Sequence, residues 1–196
     1  EFAYPGLRIR FEVPPGFVLF NAPNKVVARG PGKSVIAFDM AEKAVKSLSN
    51  YLVRDWGRKY TLRGVEVIDV NGMEAATGQG RAETGSGPRD LRLVAVRGGG
   101  KRIYRFIFLS SPEWTRRLAT DFRRATYSFR RLSNQEARAI RPLRLAVISV
   151  KPGATAANLA ARMPFENFQL ERFMTLNGIE RDHPLTPGSK VKTVRD

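Results

Sequence analysis

Two glycine-rich segments and a single histidine are the places where this sequence could carry chemistry. GPGKS, from Gly30 to Ser34, ends like a phosphate-binding loop, with a Lys and a Ser placed to reach phosphate oxygens and a metal ion. The full loop needs a glycine where Val27 stands, and a helix N-terminus after Ser34. The residues after Ser34 are VIAF, a strand pattern, so the segment reads as a turn. RGGGK, from Arg97 to Lys101, lies between two strand patterns and reads as a hairpin tip. His183 stands before Pro184 in a loop. One histidine cannot build a His-Glu-x-x-His zinc helix, and no Ser-His-Asp set accompanies it. Asp39 and Glu42 show no pattern of a buried acid–base pair. With no cysteine, disulfides, thiolate metal sites and cysteine nucleophiles are excluded. The sequence therefore contains no recognisable catalytic set, and the expectation is a chain with no metal or cofactor of its own.

Binding is the remaining class, and charge is its first signal. The formal net charge is +16 and the sequence pI is about 11.0, a field that favours anionic partners. On a helix pattern from Glu113 to Arg124, Arg116 and Arg123 share one stripe and Arg117 and Arg124 the next, opposite Trp114, Leu118 and Phe122. Arg130 and Arg131 come next, in an adjoining segment. These six arginines are candidates for contact with an anionic envelope polymer or a phosphate backbone; an ordinary solvated helix face is the alternative. The aromatics lie on the opposite stripe rather than among the arginines, which suits base stacking poorly and weighs against nucleic acid.

The elements that must position these residues emerge from periodicity. At 42% hydrophobic and 27% charged the chain is globular, and no apolar run is long enough to cross a bilayer. Strands are expected at Leu7–Val13, Phe17–Phe20, Lys25–Arg29 and Lys33–Met40. Leu48, Leu52 and Trp56 give a helix capped by Ser47 or Ser49. A hairpin turns at Asn71-Gly72 and its returning strand runs from Met73 to Thr84. A Gly-Ser-Gly-Pro break precedes strands at Leu91–Arg97 and Arg102–Leu109. The second helix opens at Ser111-Pro112-Glu113, and TYSFRRL, Thr126 to Leu132, is expected as a last strand. This makes a first domain, 1–132, an antiparallel sheet with flanking helices of α+β class. A polar linker, 133–142, then leads to a small unit, 143–196: strand Leu143–Val150, helix Thr155–Met163, helix Glu166–Leu176 and strand Lys190–Val194.

The second unit carries a resemblance. VISVKPGATAANLAARM, FQLERFMTLNGI and LTPGSKVKTV resemble a LysM module, a strand–helix–helix–strand fold with both helices on one side of a two-stranded sheet. The resemblance implies a shallow groove for N-acetylglucosamine polymers such as peptidoglycan. One side would be Gly153, Ala154, Thr155 and Ala156, and the other Asn177, Gly178 and Ile179. Ala154 stands where the family has an acid, and Ala156 where it has Leu. The first unit resembles a PsbP-like (or Mog-like) α/β/α sandwich through YPGLRIRFEVPPGF, the Asn71-Gly72 hairpin, YRFIFLSS and SFR. Together the two units resemble the C-terminal region of bacterial zinc-dependent peptidases. That resemblance implies a non-catalytic accessory region, periplasmic or envelope-associated, with zinc only in an upstream catalytic domain. The expected partners are peptidoglycan or another anionic envelope polymer, and that upstream domain. The sequence opens Glu1-Phe2-Ala3 without Met, as a product cut from something longer. Two alternatives stay open: a protein–protein docking module, and a nonspecific binder of anionic polymers or nucleic acid.

Overall fold

The computed structural model describes residues 1–85, 87–180 and 183–196. The chain divides into two compact units, Glu1–Ala137 and Arg138–Asp196.

The first unit is built on a seven-stranded antiparallel sheet in the order β3-β4-β5-β9-β8-β7-β6. Its strands are β3 (Val18–Ala22), β4 (Lys25–Arg29), β5 (Val35–Glu42), β6 (Arg63–Val70), β7 (Met73–Thr84), β8 (Gly87–Arg97) and β9 (Arg102–Ser110). A smaller sheet pairs β1 (Phe2–Tyr4) and β10 (Arg130–Arg131) with the two sides of β2 (Ile9–Phe11). Alternation along each strand decides what the large sheet's two faces bury. Val94 and Val96 of β8 face a core made with Phe38, Phe106, Phe108, β2 and helix α2 (Pro112–Ser128). Leu91, Leu93 and Ala95 face the other side, where Leu48, Tyr51 and Leu52 cover them. The covering segment begins as α1 (Leu48–Asn50), with the Ser47 hydroxyl accepting from Asn50 N–H, and continues as a π-helical stretch, Tyr51–Trp56. One helical layer on each face makes an α/β/α sandwich.

Both covers are tied down by polar contacts. Arg105 of β9 lies opposite Asp39 of β5, and its Nε and Nη2 donate to the Asp39 carboxylate at 2.6 and 2.7 Å. The same guanidinium donates to the Tyr51 hydroxyl at 3.3 Å and lies 5.1 Å from the Trp56 ring centroid, which pins the π-helical segment to the sheet. On the other face, the Asn71-Gly72 turn does two jobs. Positive φ at both residues, 52° and 78°, makes the tight hairpin. The Asn71 amide also donates to the Tyr127 and Phe129 carbonyls, at 2.7 and 2.9 Å, where α2 ends.

The first unit departs from the sequence-based expectation in several segments, β1 among them. Thr126–Ser128 continue α2 instead of forming a strand, so strand pairing in TYSFRRL is confined to Arg130 and Arg131. The Ala125 and Thr126 positions prolong the buried stripe of Leu118 and Phe122, and the Thr126 hydroxyl bonds back to the Phe122 carbonyl. Strand β8 begins at Gly87, because the pairing with β7 extends to Thr84 opposite Gly87. Within the stretch expected as linker, Asn134–Ala139 form a helix, α3. Ser133 and Glu136 make a reciprocal capping box there: Ser133 N–H donates to the Glu136 carboxylate, and Glu136 N–H to the Ser133 hydroxyl.

The second unit runs β11 (Arg144–Ser149), α4 (Ala156–Ala160), α5 (Gln169–Asn177) and β12 (Lys190–Arg195). The two strands pair antiparallel, Arg144 opposite Arg195 through Ser149 opposite Lys190. Val150, Leu159, Ala160, Met163, Phe173 and Val191 form its core. Both helices are shorter than expected. Helix α4 is capped by the Thr155 hydroxyl, which accepts from Asn158 N–H, and α5 starts only after Phe168, whose φ is positive at 57°.

The first unit yields two stability predictions. Asn71→Ala removes two hydrogen bonds and places a Cβ-only side chain in the left-handed region, at a cost of about 2 kcal/mol; urea unfolding of the two proteins measures it. The Arg130 side chain and then Ser133 hold the Glu136 carboxyl down to about 2 from 4.5. Its contribution is therefore complete above the unfolded value and is lost as pH falls through about 2. The stability gap between wild type and Glu136→Gln should stay constant near neutrality and close across that acid window, read from urea midpoints against pH.

Candidate functional site

The second unit contains a cavity of about 460 Å³ lined by Gly153, Ala154, Thr155, Ala156 and Ala157 on one side. The described residues opposite are Leu170 and Met174 of α5, with His183, Pro184 and Leu185. A Pro-Gly turn makes the first wall. The positive φ of Gly153, 75°, lets the chain leave β11 and enter α4 within a few residues. The second wall comes from the spacing of Leu170 and Met174, four apart on α5, which sets both on one side of the helix. The lining is mainly small and apolar, with the Thr155 hydroxyl and the His183 imidazole as its polar side chains.

The residues expected to form the far wall do other work. The Asn177 amide donates to the Phe173 and Lys192 carbonyls, both at 2.9 Å, and its oxygen accepts from Lys192 N–H at 2.7 Å, which ties α5 to β12. Gly178 ends α5 with positive φ, and Ile179 packs against the core. So the wall Gly153–Ala156 lines the cavity, while Asn177, Gly178 and Ile179 are not among its described lining residues. The sequence pattern does not anticipate Leu170, Met174 and His183 there; the i, i+4 spacing of the first two is the available signal.

The six candidate arginines differ in their surroundings. Arg130 is held by Glu136, with Nη2 2.6 Å from the carboxylate, which raises the guanidinium pKa. Arg117 lies 3.8 Å from Glu113 and over the Trp114 ring. Arg124 borders a small cleft beside Glu12 and Asp121, while Arg123 borders a separate cavity. Arg116 and Arg131 are exposed. Among the described residues no three His, Asp or Glu side chains come together as a metal site, and no helix is long and apolar enough to cross a membrane. The GPGKS segment forms a 3-10 turn at Pro31–Lys33 between β4 and β5, and the three glycines 98–100 join β8 to β9.

Among solved structures, the chain is similar to cyanobacterial PsbP (CyanoP) from Synechocystis sp. PCC 6803, at 15% identity and a TM-score of 0.51, covering 66% of this chain and 90% of that one. It is similar to a protein from Bacteroides thetaiotaomicron VPI-5482 at 11% identity and a TM-score of 0.51, covering 77% of this chain and 53% of that one. LpqN of Mycobacterium tuberculosis, involved in cell envelope biogenesis, aligns at 11% identity with a TM-score of 0.49, over 64% and 83% of the two chains. No protein-family model and no curated protein matches. At such identities the likeness is one of fold: an antiparallel sheet flanked by helices, α+β and PsbP-like.

Proposed function

We propose that the chain is a non-catalytic binding region of a bacterial envelope protein, and that its second unit holds N-acetylated sugars of the cell wall in the Gly153–Ala157 cavity. The supporting observation is the cavity itself. A trough of small apolar residues accommodates acetamido methyl groups and the C–H faces of pyranose rings, while Thr155 and His183 offer polar contacts at its border. The β–α–α–β order of the unit and the LysM resemblance of its sequence agree with this reading. On the same reading, the parent protein is a zinc-dependent peptidase with its catalytic domain upstream, and this region positions it on the wall or on substrate proteins.

A docking role has its own support. Leu143, just before β11, and Leu145 and Val147 on it are 54, 61 and 63% exposed, an apolar stripe of the kind that a protein partner covers.

Retention on purified peptidoglycan tests the sugar reading. The chain should be retained at moderate salt above a control protein of equal charge. Ala157→Trp, which fills the cavity from an exposed position, should reduce retention about tenfold or more with unfolding unchanged. Equal retention of variant and wild type, or none above the control, overturns it; the absence of any wall retention leaves docking as the better reading.

A further inference from the structure

The first unit has a cavity of its own, about 340 Å³, between α2 and the sheet face that α2 covers. Along β8, Asp90 and Arg92 share a face with Val94 and Val96. Val94 and Val96 belong to the core beneath α2, so the covered face turns from apolar to charged toward the start of the strand. Arg92 is half-buried there. Its Nε donates to the Thr77 hydroxyl at 3.0 Å, and among the described residues no carboxylate forms an ion pair with it. Burial lowers its pKa and Arg123 of α2 lowers it further, against the opposing influence of Glu66 and Tyr127; two cations thus share this space. Among the described lining residues the one carboxylate, Asp90, is already engaged. It accepts the Thr115 hydroxyl at 2.6 Å and Arg81 Nη2 at 3.3 Å. The Ser110 hydroxyl lies 3.0 Å from that of Thr115, and Phe108 and Phe122 give the cavity an apolar floor.

A half-buried guanidinium without an acidic partner, beside a second cation and above aromatic rings, is an incomplete ion pair. We propose that this cavity binds a small organic carboxylate with a short apolar body, its charge held by Arg92 and Arg123 and its body against Phe108 and Phe122. The site is independent of the second unit and of any reading of the parent protein. The fork of Arg92 suits a planar carboxylate, and the limited volume suits a ligand of few carbons.

The test is titration of the full chain with sodium hexanoate and sodium benzoate at constant ionic strength, monitored by amide chemical shifts. Hexanamide and inorganic phosphate serve as comparators. At least one acid should saturate, with shifts at Arg92, Ser110, Thr115 and Arg123, and hexanamide should bind about tenfold more weakly or not at all. Arg92→Gln should weaken the acid about tenfold. Arg123→Ala, on the exposed side of α2, should weaken it several-fold without affecting folding, which keeps the test decisive if Arg92→Gln does not fold. No saturable shift with either acid, equal binding of hexanamide, phosphate binding as tight as the acids, or full affinity in Arg123→Ala would overturn the proposal.

Discussion

A sheet whose two faces are both apolar cannot stand alone in water, and the first unit is organised around that constraint. The central strands β8 and β9 bury alternate residues on opposite sides, Val94, Val96, Phe106 and Phe108 on one and Leu91, Leu93, Ala95 and Ile103 on the other. Each face therefore requires a cover, and neither cover is a strong element by itself. The π-helical stretch Tyr51–Trp56 is held through Arg105, itself fixed by Asp39 on the neighbouring strand. Helix α2 is longer and amphipathic, and its end is fastened to the sheet by Asn71. The aromatic cluster beneath it, with Phe11 and Phe106 at 5.1 Å and Phe38 and Phe106 at 4.7 Å, brings the small β1-β2-β10 sheet into the same core.

The same constraint explains where the two cavities occur. Wherever a cover runs beyond the apolar part of the sheet, the strand residues below it become polar while still partly shielded from water. The cavity at Arg92 lies where the covered face of β8 changes character. In the second unit, a short α4 and an α5 that begins only after Phe168 leave a trough that the small core does not fill.

Much of the fold was legible in period and turn chemistry. Glycine-rich turns located β4 and β9, the four-residue repeat located Leu48–Trp56, and Asn71-Gly72 located a hairpin. What escaped depended on partners remote in sequence. β1 exists because Phe2–Tyr4 pair with β2, and Thr126–Ser128 are helical because Thr126 continues a stripe buried against the sheet. The caps at Ser47 and at Ser133–Glu136 are both local signals; the first marked a helix start, while the Ser-x-x-Glu pattern of the second lay within the stretch expected as linker. In the second unit the Pro-Gly turn and the helix start marked only a corner at Gly153–Ala156; that this corner forms one wall of a groove came from the LysM resemblance. The opposite wall was not legible, because which side of α5 faces the turn is set by packing, and Asn177 is drawn inward by Lys192. Arg92 looks like one more polar position in an alternating strand; only the arrival of α2 over that face makes it a half-buried cation.

The sugar-binding claim is tested most directly by titrating the full chain with a soluble N-acetylglucosamine oligomer and monitoring backbone amides residue by residue. Saturable shifts should cluster at Gly153–Ala157, Leu170, Met174, His183 and Leu185, and leave the first unit unchanged. An absence of saturable shifts, or shifts confined to the first unit, would contradict it.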